Sequence, residues 1–463
     1  MSHHKYSRRK FMGSLPCLAL GTSTLYNSLI NLKAMNAIMG STSTEGDDYK
    51  ALICVQLSGG NDSYNMLIPR GNTEYAEYAA VRSNLAVPQD QILPINPEIT
   101  DGRDFGLHPS MTGLRNIFES GKAAFVSNVG TLVEPVTKPG LEMGNVKVPL
   151  GLLSHSDQIM HWQTAYPQDR TTIGWGGKMA DILKSMNEDI GVSMNISLGG
   201  NNVFQRGEDV TEYAINASGG VSILGFDFDE PFFNLMKEDV TDMMSQNYED
   251  IFRDSYNGVL KRSVESNEIF NSAVEGAVVN TQFSNTNLSQ KMGMVARSIA
   301  SREQLGAKRQ IFYVDIGGFD NHDELINNHS QLMKVVDDAF SEFYAATEEL
   351  GVSDCVTTFT ISDFARTLTS NGNGTDHAWG GNAIVMGGAV NGKKMYGDYP
   401  VLSLGSDLDL GSGILLPTTS ADEYFAEMAL WFGISPNDLS QVFPNIGNFY
   451  DVASGEKPLG FMV

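Results

Sequence analysis

The sequence predicts an α/β fold in which a doubly wound, mostly parallel sheet carries helices on both faces. Residues 51–57 form a nearly unbroken apolar run, with Gln56 as its one polar residue, that includes β-branched side chains and is followed by Gly59 and Gly60. Such a run is typical of a central strand of a parallel sheet, because both faces of that strand are buried. Similar runs recur along the chain and alternate with segments of helical periodicity. This alternation is the second observation that predicts the fold class.

The predicted elements follow one another in a regular order. The first helix is separated by Gly121 from the strand after it, which completes a βαβ unit, and Gly351 separates a later helix from its strand in the same way. The order predicts helices on both faces of the sheet. Helices are predicted at residues 110–120, 288–299 and 332–350, and further strands at 123–129, 310–316, 355–361 and 382–386.

The chain after its first residues is interpreted as a single domain over residues 48–463. Between about residues 171 and 290 the alternation loosens into Gly- and Asn-rich turns and acidic helical segments. We interpret this stretch as a helical and loop insertion over the sheet, with boundaries placed to within several residues.

The first 37 residues have the features of a twin-arginine signal peptide. Arg8 and Arg9 precede a short uncharged segment that contains Pro16. The segment falls short of the roughly 20 strongly apolar residues of a membrane span, so we expect it to be cleaved and the mature form to have no stable span. The alternative is a chance arginine pair in an amphipathic helix. The leader predicts the twin-arginine translocase as a partner and a periplasmic or secreted location.

The charge of the chain argues against some partners. The formal net charge is −24, and the predicted leader contains five of the basic residues and none of the acidic ones. The mature surface is therefore more acidic still, and it repels nucleic acid and anionic membranes. Only Cys54 and Cys355 remain after cleavage, too few for a disulfide scaffold.

Six acidic or histidine residues lie just beyond predicted strands. Ligands bind at the carboxyl ends of strands in an open parallel sheet, so these side chains are expected to converge. Crowded carboxylates repel one another unless cations neutralise them, and mixed Asp and His ligation suits Zn²⁺, Mn²⁺ or a similar ion. The sequence therefore predicts a divalent-metal site with six candidate ligands: Asp62, Asp320, His322, Asp363, Asp376 and His377.

Each candidate ligand also has a simpler explanation. Asp62 and Asp363 follow strands, where an aspartate commonly caps the next helix. His322 and His377 lie in glycine-rich loops beside an aspartate, where a hydrogen-bonded pair is sufficient. The coincidence of all four positions favours the metal hypothesis.

A second group of polar residues is Ser154, His155 and Ser156, at the start of a predicted helix that runs through His161. A serine at a helix start beside a metal site is suited to act as a nucleophile, because the metal and the helix N-terminus both activate its oxygen. The alternative is that one serine only caps the helix. His108 and His329 are interpreted as structural.

At these residues the chain resembles the exported domain-of-unknown-function family 1501, which is placed with the alkaline phosphatase and sulfatase superfamily. The resemblance covers nearly the whole chain and implies an alkaline-phosphatase-like fold. Besides the leader, it rests on these segments: Leu57-Ser-Gly-Gly-Asn-Asp62-Ser-Tyr-Asn65, Leu107-His-Pro109, Ser154-His155, Gly318-Phe-Asp-Asn-His322, Ser362-Asp363-Phe-Ala-Arg-Thr367, Thr375-Asp-His-Ala-Trp-Gly380, Gly387-Gly388 and Gly397-Asp-Tyr-Pro400.

The resemblance implies how a site of this kind is assembled. Asp320, His322 and His377 are similar to the three ligands of one metal in the superfamily, although the spacing of the first two is tighter here. Asp62 and Asp363 are similar to two ligands of a second metal. Phe364 stands where the histidine after Asp363 would be, which leaves three alternatives: one metal, a different ligand such as His155, or a protein that has lost hydrolysis.

The resemblance thus implies a metal-dependent hydrolase of phosphate or sulfate esters, in which Arg366 contacts an anionic ester substrate. It leaves the metal open among Zn, Mn, Mg and Ca. Ser154 lacks the Cys/Ser-x-Pro/Ala-x-Arg motif of sulfatases, which disfavours an arylsulfatase. The alternative is a non-catalytic exported protein of the same fold that binds a surface glycan or a protein partner, and Phe364 favours this alternative.

Overall fold

The computed structural model describes residues 48–98, 102–188, 191–221, 223, 226 and 228–463. The predicted signal peptide over residues 1–37 lies outside the described residues. The described strands are β1 (Lys50–Leu57), β2 (Leu67–Pro69), β3 (Leu93–Ile95), β4 (Phe105–Leu107), β5 (Ala123–Gly130), β6 (Asn195–Ser197), β7 (Tyr213–Asn216), β8 (Gly219–Gly220), β9 (Arg309–Ile316), β10 (Val356–Ser362), β11 (Gly381–Gly387), β12 (Met395–Tyr396) and β13 (Thr419–Ser420).

The fold class is α/β, with a ten-stranded central sheet in the order β12-β5-β11-β10-β1-β9-β6-β7-β8, and β13 also pairs with β5. A small antiparallel sheet has the order β2-β4-β3. The described helices are α1 (Ser63–Met66), α2 (Asn72–Arg82), α3 (Thr112–Glu119), α4 (Lys138–Glu142), α5 (His155–Thr164), α6 (Trp175–Leu183), α7 (Pro231–Ser245), α8 (Ile251–Glu275), α9 (Asn287–Ala300), α10 (Leu325–Glu349), α11 (Ala421–Phe432) and α12 (Leu439–Val442).

The central strand β1 is apolar because both of its faces are covered. Successive side chains of a strand point to opposite faces. Ile53 and Val55 belong to an apolar cluster with residues of α3, α9 and α10, whereas Leu52 and Cys54 belong to a second cluster with residues of α6 and α11. The prediction of a mostly parallel sheet with helices on both faces is confirmed.

The register of the three central strands brings their carboxyl ends to one level. Strand β1 pairs in parallel with β9 and with β10, and Leu57 lies opposite both Ile316 and Ser362. The loops that follow these strands therefore start side by side. This is the edge at which ligands bind in open parallel sheets.

The structure adds two features to the predicted pattern. The strand predicted at residues 382–386 is β11, which runs antiparallel to both β10 and β5. Strands β11 and β10 also separate β5 from β1, so the two strands of the first βαβ unit are not neighbours.

The stretch interpreted as an insertion contributes to the central sheet as well as to its surroundings. Ile196 of β6 pairs with Phe312 of β9, and β7 and β8 extend the same edge. Helices α7 and α8 follow. Within the described part of the chain, none of the helices combines the length and the apolar character needed to cross a membrane.

Candidate metal centre

The candidate site lies where the loops after β1, β9 and β10 meet. Gly59 adopts a φ of +117°, and a Cβ at this position would lie 2.3 Å from the backbone nitrogen of Asp320. Only glycine allows this close approach. The side chain of Ser362 connects the end of β10 to the loop after β1. Its hydroxyl donates to the carbonyl of Leu57 at 2.7 Å and accepts from the Asn61 backbone amide at 2.8 Å.

Three histidines converge on the carboxylate of Asp320. Its Oδ1 lies 3.0 Å from Nε2 of His322 and 3.6 Å from Nε2 of His377, while its Oδ2 lies 3.5 Å from Nε2 of His155. The Nε2 atoms of His322 and His377 are 3.2 Å apart. His155, Asp320 and His377 each offer a ligand atom, and these atoms all lie within 4.8 Å of one another.

The other nitrogen of each imidazole faces an acceptor. Nδ1 of His155 lies 2.7 Å from Oδ2 of Asp363, and Nδ1 of His322 lies 3.2 Å from Oδ1 of Asp376. Nδ1 of His377 lies 2.8 Å from the carbonyl oxygen of Leu153. An acceptor at Nδ1 fixes the proton there, so the lone pair of each neutral ring is on Nε2 and faces Asp320. Metal-binding histidines are typically held in this way.

The charge on Asp320 is fixed by a buried arginine. Burial opposes ionisation, but the hydrogen bond and charge of Arg366, together with His155 and His322, lower the pKa of Asp320 below its ordinary value. Nη1 of Arg366 lies 2.9 Å from Oδ1 of Asp320, and Nη2 donates to the carbonyl of Thr375 at 2.7 Å. Arg366 is fully buried. In these contacts Arg366 orients Asp320, and its contact with a substrate stays a prediction.

The two remaining predicted aspartates are buried and engaged with protein groups. Asp363 accepts from Gln56 on one oxygen and faces His155 with the other. Burial raises the pKa of Asp363, and its hydrogen bond with His155 opposes this rise. Asp62 forms an ion pair with Arg82. Burial raises the pKa of Asp62 as well, against the charge of Arg82.

Both aspartates therefore border the cluster around Asp320. Asp363 holds His155 in place, and Asp62 neutralises Arg82. Neither Asp62 nor Asp363 is in the group of three that offers converging ligand atoms among the described residues. The helix-capping alternative does not describe Asp62, since its side chain makes no capping hydrogen bond to α1.

Residues 49–443 match the family described as "Protein of unknown function (DUF1501)". The chain belongs to the DUF1501 family. The comparison with curated proteins found no significant match.

Solved structures similar to this DUF1501 chain include three proteins. The PsFucS1 sulfatase from Pseudoalteromonas sp. is 8% identical, with a TM-score of 0.35 over 88% of this chain and 71% of that one. The lipoteichoic acid synthase LtaP from Listeria monocytogenes is 9% identical, with a TM-score of 0.30 over 83% of this chain and 80% of that one. A mutant of the alkaline phosphatase PafA is 8% identical, with a TM-score of 0.27 over 70% of this chain and 64% of that one.

Phe364 forms an apolar wall on the DUF1501 site. The centroid of its ring lies 4.4 Å from that of His377 and 4.7 Å from that of His155. The ring is buried, and a Cβ at Gly60 would lie 2.6 Å from it. Phe364 therefore keeps water away from one side of both imidazoles.

The predicted serines lie at the start of α5. Ser154 precedes the helix and Ser156 is within its first turn, and their hydroxyl oxygens are 3.2 Å apart. The side chain of Ser154 makes no capping hydrogen bond. Leu153, with a φ of +71°, turns the chain so that its carbonyl reaches His377 while His155 enters the cluster. The nucleophilic role of either serine stays a prediction.

Sequence reasoning missed Arg82 and the carbonyl of Leu153. Arg82 is the last residue of α2 and also donates to the carbonyl of Thr367 at 2.9 Å. An arginine near a helix C-terminus looks like a surface residue in sequence. The predicted structural histidines are indeed buried, and the rings of His108 and His329 are 5.6 Å apart.

Proposed function

We propose that this DUF1501 protein is a metal-dependent hydrolase of phosphate or sulfate esters that acts outside the cytoplasm. One observation carries the proposal: three imidazoles present Nε2 toward a single carboxylate while their Nδ1 atoms face fixed acceptors. Such an arrangement offers several neutral ligands and one negative ligand at a single point. A divalent cation satisfies that donor set.

The donor set favours a transition metal ion. His155, Asp320 and His377 would hold the ion, and His322 lies close enough to join them. Imidazole suits Zn²⁺ and related ions, whereas Ca²⁺ and Mg²⁺ prefer carboxylates, carbonyls and water. Of the four metals that the resemblance leaves open, Zn²⁺ and Mn²⁺ therefore fit these residues best.

A bound ion of this kind polarises an ester oxygen and activates an oxygen nucleophile at neutral pH. The protein side chains supply the remaining functions. Arg366 holds Asp320 in a fixed orientation, and Phe364 excludes water from one side of the imidazoles. His322 is the most exposed of the three imidazoles, so its Nε2 can accept a proton from a reacting group. Ser154 and Ser156 are the candidate nucleophiles.

Metal analysis of the purified protein tests the binding step. We expect about one transition metal ion per chain, and a content near zero in the His377→Ala and Asp320→Ala variants. The Asp338→Asn variant is the matched control, because Asp338 lies on α10 and pairs with Lys334. It should keep its metal. Wild-type protein prepared with ample Zn²⁺ and Mn²⁺ that carries neither ion would rule the proposal out.

An ester panel tests the reaction step. The wild type should hydrolyse a chromogenic phosphate or sulfate ester, lose this activity to a chelator and regain it with Zn²⁺ or Mn²⁺. If Ser154 is the nucleophile, Ser154→Ala should abolish turnover and Ser156→Ala should not. A protein that binds metal but hydrolyses no ester would instead support the non-catalytic alternative.

Export is proposed on the leader alone. Replacement of Arg8 and Arg9 by lysine should keep the precursor in the cytoplasm, because the translocase recognises the arginine pair. Cell fractionation measures this. Equal export of wild type and variant would contradict a twin-arginine route.

A further inference from the structure

Helices α7 and α8 form an antiparallel hairpin that projects from the domain. The side-chain amide of Asn257 donates to the carbonyls of Met244 and Gln246, which joins the two helices near the turn. None of the residues of α7 is buried. The C-terminal half of α8 packs on the domain through Phe270 and Val274, whereas its N-terminal half does not.

Each helix of the hairpin carries an exposed apolar stripe beside its contact with the other helix. In α7 the partly buried positions are Phe233, Met236, Val240 and Met244. In the N-terminal half of α8 and just beyond it they are Asn257, Gly258, Leu260 and Val264. The exposed apolar residues lie on the side of each helix reached by turning back about one residue from these positions. They are Phe232, Leu235 and Met243 in α7, with Asp239 between the last two, and Phe252, Tyr256 and Val259 in α8.

The two stripes lie on the same side of the hairpin. Shifting back by one residue turns a side chain by about 100° around the helix axis. Since the helices are antiparallel and face each other, the same shift turns both stripes toward one side. The hairpin thus has one largely apolar face, interrupted on α7 by Asp239, which we call the hairpin face.

The hairpin face is too large for an ordinary monomer surface. Phe252 is 82% exposed, and Phe232 and Tyr256 are each 71% exposed. At roughly 100 Å² for each of six large apolar side chains, the face presents about 600 Å² of apolar surface. That value is at or above the largest apolar patch of typical monomers, and it approaches the roughly 800 Å² that each partner contributes to a standard interface.

We propose that the hairpin face binds the same face of a second copy of this chain. Two antiparallel helices packed on their own copy form a four-helix arrangement, and a two-fold interface closes on itself. The hairpin also carries both signs of charge at the face, with Asp239 on α7 between Leu235 and Met243 and Arg253 on α8 next to Phe252. Two copies can therefore align opposite charges, whereas an anionic membrane would be repelled by the acidic chain.

Analytical ultracentrifugation of the full chain tests the proposal. We expect a dimer for the wild type at about 10 µM, and a monomer at the same concentration for a variant with both Phe252→Asp and Tyr256→Asp, a loss of at least about 100-fold in affinity. At a concentration low enough for both proteins to be monomeric, their thermal unfolding midpoints should be equal, because both side chains are exposed. The matched control combines Met143→Asp with Val278→Asp, at two apolar residues that are each 70% exposed elsewhere. This control should remain a dimer.

Three results would overturn the proposal. The wild type could remain a monomer up to about 100 µM. The doubly substituted hairpin variant could still form the dimer. The dimer interface would then lie elsewhere on the chain, for example in the leader. The wild type could sediment as a monomer with phosphatidylcholine vesicles, which would make the hairpin face a membrane contact.

Discussion

Oδ2 of Asp363 lies 2.7 Å from Nδ1 of His155, while Nε2 of the same ring faces Asp320. A buried carboxylate and an exposed one are thereby connected through a single imidazole. The carboxylate of Asp363 fixes the tautomer and the orientation of that ring, which makes it a positioning residue for any ion bound at Nε2.

Replacing Asp363 by asparagine should weaken metal binding without removing a ligand. We expect the metal dissociation constant to rise about 10- to 100-fold, since a neutral acceptor holds the ring less firmly. Competition with a chelator of known affinity measures the change. Asp376→Asn is the comparison, because exposed Asp376 lies 3.2 Å from His322 and water can replace it. Its effect should be smaller, and an equal or larger effect would contradict the role given to Asp363.

Gly59→Ala should disrupt the contact between the loops after β1 and β9. The new Cβ would lie 2.3 Å from the backbone nitrogen of Asp320, so one loop must move. We expect a loss of about 2–4 kcal/mol in the free energy of unfolding, together with loss of bound metal. Urea unfolding and metal analysis measure the two effects.

Gly405→Ala is the control for the backbone conformation. Gly405 has a φ of +77°, but a Cβ there would meet no atom within 4 Å. Gly405→Ala should lower the free energy of unfolding by about 1 kcal/mol through backbone strain alone, and it should leave the metal content unchanged. If both variants keep their metal, the Gly59 contact does not position Asp320.

The ion pair of Asp62 and Arg82 should stabilise the fold rather than bind the ion. Arg82→Gln leaves a buried carboxylate without its partner, so we expect a loss of about 3–5 kcal/mol in the free energy of unfolding. Asp62→Asn should also destabilise the protein but keep the metal content. A double-mutant cycle measures the coupling. Loss of metal in a folded Asp62→Asn protein would instead establish Asp62 as a ligand.

The buried pair of His108 and His329 should make the fold sensitive to acid. Burial lowers the pKa of each to about 3, assisted by the neighbouring His329 for His108 and by Arg82 for His329. Below the ordinary pKa of 6.5 the unfolded chain binds protons that the folded chain does not. Stability is therefore full above pH 6.5 and falls toward pH 3, by up to about 1.4 kcal/mol per pH unit for each ring.

Urea unfolding at pH 7.0 and pH 5.0 measures this slope. His329→Asn removes one titrating ring, so the variant should lose less stability between the two pH values than the wild type. An identical loss in both proteins would show that His329 does not carry the acid sensitivity.

Much of the fold could be predicted because buried strands have a recognisable apolar composition. Strands with both faces covered are rich in apolar residues, as residues 51–57 are apart from Gln56. The direction of β11 could not be predicted in this way, because a buried strand has the same composition in either direction. Its antiparallel pairing depends on the connection that leads into it from β10.

The site was predictable where it follows strand ends and unpredictable where it depends on backbone geometry. Asp320 was predictable because the carboxyl ends of the neighbouring strands β1 and β9 meet. His377 lies at the same edge because it precedes β11, which runs antiparallel to β10. His155 lies on a separate helix, α5, and whether its Nε2 faces Asp320 depends on the contact between its Nδ1 and Asp363. The carbonyl of Leu153 has no side-chain signature, so its contact with His377 could be found only in three dimensions.

The ligands that converge at the site are far apart along the chain, from His155 through Asp320 to His377. A bound ion would tie together a loop of more than half the domain, and closing so long a loop removes much entropy from the unfolded chain. The three ligands are all present only after synthesis has passed residue 377, so metal uptake has to follow translation of most of the protein. The proposed twin-arginine route would fit such a late step, because it transports finished proteins and the ion could be bound before export.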